Sequence, residues 1–157
     1  KALNDKSGEA NFLNTHDSLR RKIIEEENLN KQNFIKVQMT TLDQELKNIT
    51  QKFIIKMDLE GNEYKALLGS RLLLKNKNLK AVIVEDNQRN KINSINSILS
   101  EYNFFPIEYS PKTRQIKKYV YKYKDKLNLI FIRDMNKIQN DCINSKKYKI
   151  YPVDTYL

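Results

Sequence analysis

"KFIIKMDLEGNEYKALLGS", residues 52–70, runs from an apolar segment, Phe53-Ile54-Ile55, straight into an acidic turn, Asp58-Leu59-Glu60-Gly61. A leucine-rich helical pattern follows at once, with Tyr64, Leu67, Leu68 and Leu72 at helical spacing from Asn62 onward. A strand over 53–59 that hands over to a helix marks the carboxyl edge of a sheet, where open α/β folds bind ligands. Working outward, "LKAVIV" at 79–84 reads as a second buried strand that ends at Glu85-Asp86-Asn87. Ile92, Ile95, Ile98, Leu99 and Tyr102 then form the apolar stripe of another helix. "FFPIEY" at 104–109 reads as a strand whose Pro106 suits an edge or a bulge. The centre is strand–helix–strand–helix–strand, which predicts parallel strands, right-handed crossovers and helices on the faces. The strands between 104 and 133, including 116–123 and 128–133, lack intervening helices and predict an antiparallel hairpin at one edge.

The flanks are less regular. Residues 9–13 read as a short strand after the turn Asp5-Lys6-Ser7-Gly8, and 34–39 alternate as a half-buried strand does. Thr41-Leu42-Asp43-Gln44 is a capping-box pattern that should open a short helix through Leu46. Residues 14–33 are polar and aperiodic, and read as a long loop with a helical turn at 19–27, mobile and close to the acidic rim. A short helix is expected over 135–144, followed by a polar tail.

A chain of 157 residues fits one domain with a real core. Its formal net charge of +10 suits a partner with phosphates or an anionic surface, but a Lys-, Asn- and Ile-rich coding bias gives the same sum. The charges are spread out and no groove-reading motif accompanies them, so nucleic acid is not the expected partner. Tyr119, Tyr121 and Tyr123 alternate with Val120, Lys122 and Lys124: an aromatic and basic face for single strands, or a half-buried hairpin strand with lysines guarding an edge. No apolar stretch has the length of a membrane span, and the N-terminal sequence has no signal-peptide pattern. A lone cysteine, Cys142, fits a reducing compartment, so a cytoplasmic protein without membrane contact is expected. One cysteine and one histidine make no zinc site.

Side chains alternate along a strand, so Asp58 and Glu60 should point the same way, with Glu85 brought near by the neighbouring parallel strand. Three carboxylates at one rim can hold an amine or sulfonium, bind a divalent ion, or take a proton from a hydroxyl. Acids at helix starts also serve simply as caps and dipole partners. His16, in Asn14-Thr15-His16-Asp17-Ser18, reads either as a base near the acceptor or as an exposed loop histidine.

The stretch resembles FkbM-type methyltransferases, whose segment runs I-K-[IM]-D-[VL]-E-G-x-E-x-x-x-L-x-G and is followed by a strand ending in Glu. Ile55, Lys56, Met57, Asp58, Leu59, Glu60, Gly61, Glu63, Leu67 and Gly69 match, then Glu85. "KALNDKSGEANF" and "VQMTTLDQEL" are similar to the family's two preceding segments, and order and spacing agree over about residues 1–133. The resemblance implies a class I, Rossmann-like sheet, mostly parallel with an antiparallel edge. It divides the chain into the C-terminal portion of a methyltransferase domain (1–134) and a helix and tail (135–157). It implies S-adenosylmethionine as cofactor and methyl transfer to a hydroxyl of a sugar or natural product, a small-molecule or glycan acceptor. Asp58, Glu60 and His16 are then the catalytic candidates. Ala2, Leu3, Asp58 and Gly61 fall on the cofactor side, and Ser18, Glu63 and Glu85 on the substrate side. No metal is implied. The family's glycine-rich loop lies upstream of Lys1, and Gly8, Gly61 and Gly69 form no Gly-x-Gly cluster, so this chain by itself is expected to bind the cofactor poorly. The alternative is an inactive, methyltransferase-like binding module for an anionic partner.

Overall fold

The computed structural model describes residues 1–13, 23–24, 34–85, 91–119, 128–150 and 155–156. β1 (Ala2–Leu3), β2 (Gly8–Leu13), β3 (Ile23–Ile24) and β4 (Phe34–Thr40) form one sheet in the order β1-β4-β2-β3. β1 lies parallel to β4, and β2 runs antiparallel to both its neighbours. After α1 (Leu42–Glu45) the main sheet begins with β5 (Phe53–Met57). Then come α2 (Glu63–Leu68), α3 (Arg71–Lys75), β6 (Leu79–Glu85), α4 (Ile92–Glu101), β7 (Phe105–Ser110), β8 (Gln115–Lys118) and β9 (Asn128–Ile132). α5 (Met135–Asn144) and a short antiparallel pair, β10 (Lys149–Ile150) with β11 (Thr155–Tyr156), complete the described chain.

The main sheet has the order β5-β6-β9-β7-β8. β5 and β6 are parallel, whereas every other ladder is antiparallel. The protein is therefore an α/β fold built on mixed sheets, not the mostly parallel sheet expected. The β7–β8 hairpin does lie at an edge, but β9 inserts between β6 and β7. Its run Leu129-Ile130-Phe131-Ile132 is apolar on both faces, and only an interior strand buries both. Phe131 and Ile132 are accordingly buried. Pro106 consequently sits in an interior strand, at the first rung beyond the β7–β8 ladder, and its carbonyl still accepts from Tyr119 N at 3.1 Å.

Alternation along β6 divides the core. Val82 and Val84 pack with Leu67, Leu74, Ile95, Leu99 and Phe104 beneath the helices, while Ala81 joins Ile107, Ile116 and Ile132 on the face that α5 covers through Met135, Ile138 and Cys142. Each fully buried Leu, Val or Phe contributes about 1.5–3 kcal/mol. At the β5 end this second face is open, and Ile54 is 61% exposed.

Other local expectations change as well. β5 stops at Met57, two residues before the expected end. The helix expected to run through Leu72 breaks at Gly69-Ser70, and Leu72 is exposed. A Cβ on Gly69 would stand 2.3 Å from the Asn4 carbonyl oxygen, so the first segment crosses where only glycine fits. Asp43 caps the new helix start, accepting from Leu72 N and Leu73 N at 3.0 and 2.7 Å. The Thr41 cap forms, with Gln44 N donating to its hydroxyl at 3.2 Å. The Gln44 side chain does not return to close the box; it accepts from Ser7 and Thr40. Within the expected loop, Ile23–Ile24 pair with β2 as a strand, as β-branched residues favour. The remainder of 14–33, including the expectation of mobility, lies outside the described residues. Tyr119 is buried in the main core, and Tyr121 and Tyr123 are outside the described residues.

Candidate active site at the acidic turn

The parallel register sets Lys56 beside Ile83 and Met57 beside Val84. β5 ends there, and Asp58 follows its last residue while Glu85 closes β6, so both lie at the carboxyl edge of the parallel pair. Asp58 is exposed and bonded to Lys56 at 3.3 Å. An exposed pair of this kind is worth about 0–1 kcal/mol, so an incoming ligand displaces it at small cost.

Because β5 ends early, Glu60 does not continue the alternation. It occupies a turn with φ +50°, and Gly61 follows at φ +95°. Positive φ at both central residues is the primed-turn pattern, natural for glycine and strained for glutamate by about 1–2 kcal/mol. Surrounding bonds hold that strain. Asn62 N donates to Leu59 O at 3.2 Å. The buried Glu63 carboxylate accepts from Leu59 N at 2.8 Å and from Gly61 N at 3.2 Å. The Asn62 amide donates to Leu3 O at 2.5 Å, and the Lys91 ammonium donates to Gly61 O at 2.8 Å. The Glu60 carboxylate has no partner among the described residues.

The structure thus brings Leu3, Gly61 and Glu63 together around the turn, with Ala2 next in β1, and puts Asp58 and Glu85 at the ends of neighbouring parallel strands. It does not gather the acids into a cage: among the described residues no three His, Cys, Asp or Glu side chains converge to hold a metal ion. His16 and Ser18 lie outside the described residues. Sequence reasoning missed Asn62 and Lys91. Asn62 looks like an ordinary cap residue, but its side chain makes no cap bond to α2. Lys91 precedes the α4 stripe with nothing to single it out.

Elsewhere the perturbed groups are structural. Arg133 loses basicity through burial while it donates to Asn76 O and Tyr102 O and stacks on Phe104. Burial, with Asp141 adding to it, pushes the Cys142 thiol up and makes it a poor nucleophile. Among the described residues no helix is long and apolar enough to cross a membrane.

A parallel strand pair with carboxylates at its carboxyl edge, beside the left-handed Glu60-Gly61 turn, belongs to an α/β fold. The family model described as the methyltransferase FkbM domain matches residues 2–106, and the chain belongs to that family of methyltransferases. Neither the search of curated proteins nor that of solved structures gave a match.

Proposed function

We infer that the protein takes part in S-adenosylmethionine-dependent methyl transfer to a hydroxyl oxygen of a small-molecule or glycan acceptor, with a class I arrangement around the acidic turn. One observation carries this reading: Asp58 and Glu60 stand at the carboxyl edge with no backbone-capping duty, while Glu63 performs that duty beside them. The donor set suits a cationic sulfonium, since two solvent-reaching carboxylates flank a glycine backbone. When bound, S-adenosylmethionine supplies an already activated methyl group. The residues then have to position the acceptor and manage one proton. Asp58 would take the acceptor's hydroxyl proton, leaving the oxygen to receive the methyl group that the bound donor would supply. Glu85, at the end of the neighbouring strand, orients the acceptor, and Leu3 and Gly61 border the cofactor side.

The test gives the intact protein S-adenosylmethionine carrying a labelled methyl group, with panels of hydroxyl-bearing sugars and of amines. Label on oxygen is the expected result. Label on nitrogen alone, or no binding of S-adenosylhomocysteine by calorimetry, would contradict the reading.

A further inference from the structure

The geometry points to Lys91 as a positioning residue for the acidic turn, acting through the carbonyl of Gly61; this rests on the methyltransferase reading of that turn. Lys91 occupies the N-cap position of α4 and makes no side-chain cap bond there. A lysine is the wrong residue for that position by local rules. Ser, Thr, Asn and Asp are the cap formers, and the positive end of the helix dipole repels an ammonium. Breaches of local rules of this kind concentrate where a residue serves a site.

Lys91 is half-buried, and its Nζ donates to Gly61 O at 2.8 Å across thirty residues of sequence. The Gly61 amide is already held on its other side by the Glu63 carboxylate at 3.2 Å. Both the N–H and the C=O of the left-handed glycine are therefore fixed, one by an anion and one by a cation. Charge-assisted bonds are the stronger class. The clamp links the start of α4 to the loop that carries Asp58 and Glu60, and so sets where their carboxylates stand relative to the edge. A misplacement of about 1 Å at a reacting group costs on the order of 100-fold in rate.

The test compares Lys91→Met and Lys91→Arg with the wild type in the intact protein. Three things are measured: amide exchange at Leu59 and Gly61, the melting midpoint, and S-adenosylhomocysteine affinity by calorimetry. In Lys91→Met, exchange at both amides should accelerate about tenfold or more and affinity should fall by about the same factor, with α4 exchange and the midpoint unchanged. Lys91→Arg, which keeps a long cationic donor, should restore both. Unchanged exchange in Lys91→Met overturns the proposal. Accelerated exchange with unchanged affinity also overturns it, because the lysine would then be structural alone. A wild type that binds no S-adenosylhomocysteine overturns the methyltransferase reading and the proposal with it. That failure is distinct, since the exchange data do not involve the ligand.

Discussion

Of the junctions that pass from strand to helix through acidic residues, β4–α1 and β5–α2 use those residues differently. At β4–α1, Thr41 caps its own helix and Asp43 caps α3 from a distance, so its carboxylate is fully engaged with backbone amides. At β5–α2, Glu63 alone does that work, closing the turn through Leu59 N and Gly61 N. Asp58 carries only an exposed bond to Lys56, and Glu60 pays for a left-handed backbone without a side-chain partner among the described residues. Acids at helix starts thus fall into two kinds, those that hold backbone and those that do not. Strain held in place by its surroundings, as at Glu60, is what directs the proposed function to the second kind.

Substitutions that separate the two kinds should differ in size and sign of effect on stability. Glu63→Ala should cost the most, about 2–4 kcal/mol, because it strips a buried acceptor from two amides. Urea unfolding should show a lower midpoint at unchanged slope, and a loss below about 0.5 kcal/mol would erase the contrast. Asp43→Ala should cost about 1 kcal/mol, the usual value of a cap, measured the same way. Glu60→Asn should stabilise the protein by about 0.5–1 kcal/mol, since asparagine tolerates the left-handed region, while reducing methyl transfer. A destabilised Asn variant would show that the glutamate is structural after all.

The smallest effect is electrostatic. The Lys1 ammonium, with the Thr40 hydroxyl, holds Glu45 below the ordinary carboxylate range. A carboxylate depressed in the folded state stabilises above its unfolded pKa, and that contribution disappears as pH falls through its folded value. The melting difference between wild type and Glu45→Gln should therefore be present near neutral pH and disappear as pH falls below the ordinary carboxylate range. It should also shrink with added salt.

The sequence made β5, β6 and α4 legible because each is decided by local apolar period, and the Thr41 cap because it spans only three residues. What escaped depends on distant neighbours. The helix break at Gly69 requires the approach of Asn4 and the carboxylate of Asp43. The place of β9 follows from which strands it can cover, which apolar content alone leaves open. At the site, Asp58 and Glu85 were legible as residues at the ends of neighbouring strands, which the structure pairs in parallel. The left-handed turn at Glu60 was not, because extended alternation was carried two residues too far. Lys91 was invisible because its target lies thirty residues away.

Turnover of the Asp58→Asn variant in the intact protein, measured beside its melting midpoint, tests the account most directly. Asparagine keeps the shape and would cap a helix about as well as aspartate, but it can neither attract a sulfonium nor take a proton. The account predicts an unchanged midpoint and a loss of methyl transfer on the order of 100-fold or more. Near-wild-type turnover with folding intact would contradict it and return Asp58 to the company of Asp43.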